Sequence, residues 1–402
     1  MTVMPNFDIA NDLKVEMLLP QDVNNVFVLG LSLLGGTDVL GDDAAGYLAW
    51  QDLACEVNRV QTSIGGSIAS NVYFQADAGK ATIQLQSWEF DPNNYTFIRP
   101  GTEVRIRTIR DGVAFILWQG TVDNIDVSYA PDQPNQITID ATDYWALVVN
   151  RRLDYNPVLW GGIDTIYPSE AINCAMQTLA TTGFSLPYDP VVSIFLEWNM
   201  TQTAETNTTF GSVVANALNS GLGFAWINPD TGYLVYRPRS TGGVAIYTIG
   251  NNHGEENHLC MADLSVTTQS DDIFTNVLVT QKYEYLGNPV FTQLYADQDL
   301  TDLYGERSSD FTVDLASTTD ADSWANAVFA PRPVTHVQNV VTPTVDRNGN
   351  LTEASQFMPG DVVGVKYQTA NINIDTDYTI TRVRHSIDVN NWFTTLELWK
   401  EF

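Results

Sequence analysis

The chain has 402 residues, and its 19 lysines and arginines stand against 48 aspartates and glutamates, which gives a net charge of −29. A surface of this charge repels phosphate, so the composition excludes a protein that binds nucleic acid or anionic membranes through a basic patch. Solubility or a salty habitat would explain the same acidity, and the functional interpretation is a surface that must not bind DNA although DNA is near.

Length and cysteine content narrow the class further. A chain of this length predicts about two to four domains, because single domains hold roughly 100 to 200 residues. The three cysteines, Cys55, Cys174 and Cys260, are odd in number and widely spaced, which favours assembly in a reducing compartment over a disulfide framework. The apolar run at residues 26–36 is too short to span a membrane and predicts a buried strand followed by a glycine turn.

Short strands with alternating apolar and polar side chains dominate residues 26–150. A period of two is typical of a strand with one buried face, and the Asp-Gly pair at 111–112 is a hairpin signal. The pattern predicts a first antiparallel β-barrel over residues 26–150, preceded by an N-terminal arm of residues 1–25. The side chains predicted to face its core include Ile83, Leu85, Val104, Ile106, Ile137 and Ile139.

Helical spacing replaces this alternation in residues 151–250. A first predicted helix has Ser169 as its N-cap and Gly183 as its stop, and a second predicted helix ends at Gly221. A hairpin built on an Asn-Pro-Asp-Thr-Gly turn follows, so the segment predicts a small α+β domain. The apolar stripes of the two helices are Ile172, Ala175, Met176 and Leu179, and Phe210, Val213, Val214, Ala217 and Leu218.

Alternating strands return in residues 251–402 and predict a second β-barrel domain. A small inserted region at about residues 284–340 interrupts this domain. Within the insertion, residues 320–329 favour a short helix that buries Trp324. The predicted fold class is therefore mainly β with an α+β part, in which two antiparallel β-barrels flank a small α+β domain.

Two stretches of the chain resemble each other. Residues 100–127 and residues 359–389 both open with Pro-Gly and an alternating strand, and both close on Ile-Asp-Val after a second strand. Residues 50–57 and residues 261–268, which precede them in the same order, also resemble each other. Coincidence between alternating strands is the alternative, but the ordered pair of matches favours the duplication of one β domain.

The ordered set of motifs resembles the tail hub proteins of tailed bacteriophages, which are often called minor tail proteins and are related to the baseplate hub of contractile tails. The resemblance covers most of residues 26–402. The motifs that carry it include AGKATIQLQSWEFDPNN at 78–94, IRPGTEVRIRTIRDGVAFILWQGTVDNIDV at 98–127, ITIDATDYWALVVNRRL at 137–153 and PGDVVGV at 359–365.

The resemblance implies an architecture and an assembly. In this family, two tube-like β-barrels lie in one chain and three chains form a ring, so that a pseudo-sixfold ring adapts a sixfold tail tube to a threefold spike or fibre. It implies a structural virion protein at the tail tip, a homotrimer assembled in the cytoplasm of the bacterial host. The implied partners are the tail tube or distal tail protein ring, the tape measure protein, the tail spike or central fibre, and genomic DNA that passes through an acidic lumen without specific binding.

No pattern in the sequence predicts a catalytic residue, a metal site or a cofactor. Residues 253–260 gather two histidines, two glutamates and a cysteine without a standard zinc spacing, and a solvated linker is the better interpretation. Residues 346–353 do not begin a true calcium loop, because Leu351 and Phe357 stand at the sixth and twelfth positions, where the loop needs glycine and glutamate, and they predict an Asn-Gly turn. The sequence contains neither a Gly-x-Ser-x-Gly motif nor a phosphate-binding loop.

One basic cluster stands out against the acidic background. Arg105, Arg107 and Arg110 lie along a single predicted strand, and Arg151 and Arg152 lie where the first barrel meets the α+β domain. The simplest interpretation is the polar outer face of a strand. The alternative is a set of intersubunit contacts, in which these arginines face acidic patches on a neighbouring ring.

Other functions remain open at the level of the sequence. A carbohydrate-binding tail adhesin would use tryptophans as a sugar platform, although most of the ten tryptophans occupy positions that favour a core. A hub-linked cell-wall-degrading enzyme would need a nucleophile or a metal motif. A hexameric distal tail or tube ring needs one barrel per chain, so the second barrel favours the hub.

Overall fold

The structure is a computed structural model of the chain, in which one 15-stranded sheet dominates. Five smaller sheets and five α-helices complete the described part of the chain. The residues described are 13–20, 26–27, 39–40, 48–53, 56–69, 72–88, 98–110, 113–153, 165–181, 188–190, 200–201, 208–238, 244–251, 257–268, 273–281, 292–315, 317–329, 335–346, 350–389 and 391–399.

The strands before residue 143 form the N-terminal part of the large sheet, except for β2 and β3. They are β1 (Leu13–Pro20), β2 (Val26–Phe27), β3 (Val39–Leu40), β4 (Leu48–Asp52), β5 (Glu56–Ala69), β6 (Tyr73–Ala76), β7 (Lys80–Ser87), β8 (Glu103–Arg110), β9 (Val113–Ser128) and β10 (Asn135–Thr142). The predicted inward positions are confirmed, because Ile83, Leu85, Val104, Ile106, Ile137 and Ile139 are all buried. Of the strand predicted at residues 26–36, only β2 is described, and it pairs with β3 in a separate sheet.

The first strand corrects one predicted boundary. The sequence pattern assigns residues 1–25 to an arm, but β1 pairs antiparallel with both β8 and β4 inside the large sheet. Leu13, Val15 and Met17 alternate with polar residues along β1 and are fully buried in the core. Alternation over this strand is the same period-two signal that predicts the later strands, so residues 13–20 belong to the first β domain. The rest of the predicted arm lies outside the described residues.

The middle of the chain contains three helices and several short strands, as the α+β prediction requires. They are α1 (Tyr144–Val148), β11 (Arg152–Leu153), β12 (Thr165–Ile166), α2 (Pro168–Thr181), β13 (Tyr188–Pro190), β14 (Met200–Thr201), β15 (Thr208–Thr209), α3 (Phe210–Gly221), β16 (Phe224–Ile227), β17 (Leu234–Arg237) and β18 (Tyr247–Gly250). The predicted apolar stripes of α2 and α3 are buried throughout. α1 has no counterpart among the elements that the sequence predicts.

The helix ends show where capping is predicted correctly. α2 begins at Pro168, before the predicted N-cap Ser169, because a proline in the first turn loses no helical hydrogen bond. Gly183 lies outside the described residues. α3 ends at Gly221 as predicted, and Thr209 caps its N-terminus through a capping box with the residue at the third helical position.

The C-terminal part of the chain holds an inserted unit and the rest of the large sheet. Its elements are β19 (His258–Cys260), β20 (Asp263–Thr268), β21 (Asn276–Gln281), β22 (Thr292–Ala296), α4 (Gln298–Tyr304), β23 (Ser308–Val313), α5 (Thr318–Phe329), β24 (Thr335–Pro343), a 3₁₀-helix (Glu353–Ser355), β25 (Val362–Gln368), β26 (Asn373–Asp388) and β27 (Trp392–Trp399). β22, β21 and β23 form a sheet of their own.

The inserted unit has a separate core around Trp324, which is fully buried against Phe311 with ring centroids 5.4 Å apart. In the C-terminal part of the chain this core runs from Val277 to Val328, Val72 and Leu222 also contribute to it, and β24 already belongs to the large sheet. The predicted limits of 284–340 therefore shift towards the N-terminus. Alternating strands look alike inside and outside an insertion, so the sequence could not separate β21 and β24 from one another.

Ten strands of the large sheet form two copies of one arrangement. The first β unit consists of β5, β7, β8, β9 and β10, and the second β unit consists of β20, β24, β25, β26 and β27. In space their orders are β5-β7-β10-β9-β8 and β20-β24-β27-β26-β25, and every neighbouring pair is antiparallel. In both units, the strands lie side by side in the order first, second, fifth, fourth, third, counted along the chain. This topology, with its curled half-barrel sheet, confirms the predicted fold class of two related antiparallel β domains.

The two Pro-Gly turns are alike down to single hydrogen bonds. The Gly101 N–H donates to the Val122 carbonyl over 2.7 Å, and the Gly360 N–H donates to the Ile380 carbonyl over the same distance. Each acceptor residue donates its own N–H back to the residue after the glycine, over 2.9 Å in the first unit and 2.8 Å in the second. In both turns, the side chain of that same residue accepts a hydrogen bond from the backbone N–H that precedes the proline.

A β-bulge falls at the same position in both units. The register of β9 against β10 skips Asp123, directly after Val122, and the register of β26 against β27 skips Thr381, directly after Ile380. Bulges depend on the details of strand pairing, so a shared bulge is a stricter match than a shared strand order. The structure therefore supports a duplication over coincidence.

The register corrects the details of the sequence repeat. Ile125 has the position that Val383 has in the second unit, so the two Ile-Asp-Val triplets, of which the second comes four residues later, are not equivalent. Leu264 has the position of Val60, since it pairs with Val340 as Val60 pairs with Ile83, and the pairing leads from these two partners to Val383 and Ile125. It is not equivalent to Leu53. Alternating strands match each other at several offsets, which explains why the sequence reveals the repeat but not its register.

Candidate subunit interface

The two β units are joined within the chain by one pair of strands, which we call the intrachain junction. β26 of the second unit runs antiparallel to β5 of the first, from Arg382 opposite Gly65 to Asp388 opposite Arg59. This pairing makes a single sheet out of both units. The junction therefore shows how one β unit pairs with another within the chain.

Ion pairs fasten the polar face of the junction. Arg382 bridges Asp77 of the first unit and Glu397 of β27, the latter with a nitrogen–oxygen distance of 3.7 Å. Arg384 also pairs with Glu397. Sequence reasoning missed these arginines, although Arg-Val-Arg in the second copy of the repeat has the same alternating form as the arginines of β8. What the sequence could not show is Asp77, because this partner lies more than 300 residues away.

The apolar face of the junction buries a histidine. His385 lies opposite Thr62 and is 3% exposed. Its Nδ1 atom is 3.0 Å from the Thr394 hydroxyl and 3.3 Å from Nε1 of Trp392, which donates to it. Burial disfavours the charged imidazolium and lowers the pKa of His385 to about 3. The ring is therefore neutral in the folded protein over the physiological range.

Two arginines of the predicted cluster, Arg105 and Arg107, form ion pairs within the chain. Glu16 of β1 is 6% exposed, and its two carboxylate oxygens accept hydrogen bonds from Arg105 over 2.6 Å and from Arg107 over 2.7 Å. The Arg105 guanidinium also lies 4.2 Å from the ring centroid of Trp50. These contacts tie β1 to β8 and β4.

Replacing this buried carboxylate should destabilise the first β domain. We expect Glu16→Gln to lower the free energy of unfolding by about 2 kcal/mol, because two partly buried arginines lose their acceptor charge. Asp52→Asn is the matched control, since the Asp52 carboxylate of β4 pairs with the Lys14 ammonium of β1 at an exposed site. The nitrogen–oxygen distance of this pair is 3.2 Å. The control should cost less than about 0.5 kcal/mol in urea unfolding, and equal losses would contradict the structural role of Glu16.

The remaining predicted arginines lie apart from this cluster. Arg110 donates to Glu353 over 2.8 Å and to Gln356 over 3.0 Å, so it connects β8 to the second β domain. Arg151 and Arg152 are both exposed, and Nε of Arg151 donates to the backbone of the preceding helix. The structure thus brings Arg105 and Arg107 together and separates the other three. A role for the five arginines at subunit contacts remains a prediction.

Each β unit has one strand edge with no strand neighbour among the described residues. In the first unit this edge is Val122–Ser128, the second half of β9, which we call the β9 edge. In the second unit it is Asp263–Thr268, which we call the β20 edge. Inside the chain, the equivalent edges of β26 and β5 pair with each other at the junction.

A groove of about 340 Å³ runs beside the β20 edge. Val266 is 42% exposed and Ile372 is 50% exposed along it. An open strand edge is a template for another strand, and exposed apolar side chains beside such an edge are unusual. The groove is lined by Met261, Leu264, Val266, Tyr367, Ile372 and Ile374, among others.

Comparison with solved structures shows which known proteins have a similar fold. A tail protein from Neisseria meningitidis superposes with a TM-score of 0.61 over 97% of both chains, at 11% sequence identity. A prophage MuSo2 tail protein from Shewanella oneidensis has a TM-score of 0.54 at 12% identity, and covers 87% of this chain and 95% of its own. A prophage tail protein from Listeria monocytogenes has a TM-score of 0.52 at 12% identity, covering 87% of this chain and 91% of its own.

The chain has the fold of phage tail proteins. The resemblance inferred from the ordered sequence motifs is thereby confirmed as a likeness of fold. No protein-family model matches the sequence, and no curated protein is similar to it at a significant level. At identities of 11 to 12%, the likeness is one of fold, and few individual side chains are shared.

Three further observations on the described residues concern metal ligands, membrane-spanning helices and a buried carboxyl group. The described residues contain no group of three or more histidines, cysteines, aspartates or glutamates that could hold a metal ion. In this part of the chain, no helix is long and apolar enough to cross a membrane. Asp143, whose pKa burial raises to about 7, caps α1 by accepting a hydrogen bond from the Trp145 N–H over 3.1 Å. The role of Asp143 as the N-cap of α1 therefore accounts for its buried position.

Proposed function

We propose that the chain is a structural phage tail protein, a homotrimeric hub at the tail tip that closes the tail tube. The observation that carries this proposal is the duplicated β unit, with its shared strand order, turn and bulge. Comparison supports the coarser part, a structural tail protein, because the similar folds belong to tail proteins. The trimer, the hub position and the passage of DNA are the finer part of the proposal.

Symmetry gives the physical reason for two units in one chain. Closed rings need the same contact at each boundary, and a sixfold tube offers six equivalent contacts. Three chains with two β units each would present six similar wall segments to such a tube. The inserted unit and the α+β domain occur once per chain, so they would present a true threefold face to a spike or central fibre.

The charge of the chain fits a conduit for DNA. The β9 edge carries Asp126 where the second unit has Arg384, so the first unit lacks the cation found at the equivalent place. With a net charge of −29 per chain, a lumen would repel phosphate and let the genome pass without specific binding. The proposed partners are the tail tube or distal tail ring, the tape measure protein and the spike or fibre. Assembly in the host cytoplasm, followed by a place at the virion tail tip, completes the proposal.

The mass of the purified protein tests the trimer. We expect a particle of about three times 44.5 kDa at micromolar concentration, and a threefold ring that shows six β units when imaged. A stable monomer would favour a carbohydrate-binding adhesin, and a ring of six chains would favour a tube protein. Turnover of peptidoglycan by the purified chain would replace the structural proposal with a hub-linked cell-wall-degrading enzyme.

A further inference from the structure

The intrachain junction shows how far an edge strand is covered when two β units meet. Val60 of β5 and Val383 of β26 are completely buried there, and Thr62 is 4% exposed. The equivalent residues on the open edges are uncovered. Val266, which follows Leu264 by two residues as Thr62 follows Val60, is 42% exposed, although the pairing of β20 with β24 shifts after Ser265. Ile125, which has the position of Val383, is only partly buried.

The register of the junction fixes what would face what if the open edges paired. Inside the chain, Ser386 lies opposite Gln61. Ser128 has the position of Ser386, because both follow the shared bulge at the same distance, and Ser265 has the position of Gln61. A junction of the same geometry between chains therefore places Ser128 opposite Ser265.

Charge does not oppose this pairing. With the register of the junction, Asp126 of the β9 edge would face Thr267, and no carboxylate of one edge would lie directly opposite a carboxylate of the other. Like charges directly opposite each other destabilise a strand pair, and this chain carries many carboxylates, so their absence from opposing positions is informative.

We propose that the β9 edge of one chain pairs antiparallel with the β20 edge of a second copy of this chain, with Ser128 opposite Ser265. The added strand would lie along the groove beside β20 and cover Val266. The interface rests on the proposed function, since it is the contact by which two-unit chains form a closed ring. A contact between two different edges is head-to-tail, and it closes when the rotation per chain divides a full turn.

A disulfide between the two predicted neighbours tests the register. In the double variant Ser128→Cys with Ser265→Cys, we expect mild oxidation to join chains into covalent dimers and trimers, with the new bond found between these two positions. The register control is Asp126→Cys with Ser265→Cys, because diagonal positions lie about 7 to 8 Å apart and exceed the reach of a disulfide. The geometric control is Gln61→Cys with Ser386→Cys, which should close within one chain.

Outcomes of this experiment separate the interface from the hub. A trimer in which the 61–386 bond forms and the 128–265 bond does not would overturn the interface and leave the proposed function standing. Covalent chains that grow beyond three would support the interface and overturn the trimer. A monomer without intermolecular disulfides would overturn both.

A charge on the edge provides a second, independent test. Val266→Lys should weaken association about tenfold or more, because the added strand would cover the groove that this side chain lines and would partly bury the ammonium. The side chain is exposed in a single chain, so the fold should tolerate it. Val113→Lys is the matched control, since Val113 is 68% exposed at the far end of β9, outside the proposed contact. Equal association of the two variants would contradict the interface.

Discussion

Gly65→Ala is expected to be among the most damaging single substitutions in the chain. Gly65 has a φ of +106°, and a Cβ at this position would lie 2.3 Å from the Thr381 carbonyl oxygen, across the intrachain junction. The neighbour is backbone held by the bulge of β26, so it cannot move away cheaply. We expect a loss of about 3 kcal/mol or more in the free energy of unfolding, measured in urea.

A second glycine separates steric overlap from backbone strain. Gly101 has a φ of +91°, but a Cβ there would meet nothing within 4 Å. Gly101→Ala should therefore cost only the strain of a left-handed conformation, about 1 kcal/mol. If the two variants unfold at the same urea concentration, the close approach of β5 to β26 at Gly65 is wrong.

The Gly65 result also bears on assembly. The residue lies at the end of β5 where the junction begins, opposite Arg382, whose ion pairs reach both units. A variant that loosens this end should weaken the attachment of the second unit to the first, and with it the hydrophobic core that Ile387 and Trp392 of the second unit share with the first. Because the proposed ring repeats the junction between chains, the intrachain copy would have to hold its geometry before the proposed intermolecular copy could close.

Sequence patterns predict the strands better than their partners. Alternation identifies buried positions such as Ile83 and Ile139 because side chains on a half-buried strand must alternate. The Pro-Gly turn at Gly101 marks the duplication because the turn needs those residues. Pairing across the junction is invisible to sequence patterns, since the residues of β5 and β26 are separated by most of the chain and no local signal specifies such a contact.

The candidate interface shows the same division. Arg105 and Arg107 stand out in the sequence as a cluster, but Glu16, which accepts hydrogen bonds from both, lies in a segment predicted to be an arm. The open edges at β9 and β20 could not be found by sequence, because an edge is defined by a missing neighbour. They become visible once the register aligns Leu264 with Val60, so that the exposed Val266 and the buried Thr62 lie two residues further along their strands in different surroundings.

Acid should weaken the junction through a single buried histidine. The pKa of His385 falls from its ordinary value of 6.5 to about 3 in the folded protein, because burial penalises the charged ring. Between these values the unfolded chain binds a proton that the folded chain does not. This contribution to stability is therefore complete above pH 6.5 and is lost as the pH falls towards 3, by roughly 1.4 kcal/mol for each pH unit.

A neutral replacement isolates this effect from the many carboxylates of the chain. His385→Gln has no proton to gain, and its amide oxygen can accept the hydrogen bond that Trp392 Nε1 donates to the ring. Urea unfolding of both proteins from about pH 7 to about pH 4 should show a steeper loss for the parent chain, by about one proton's worth of slope. Parallel curves would mean that the ring is accessible to protons in the folded state. In that case the intrachain junction, where His385 lies opposite Thr62, opens to water more readily than the packing indicates.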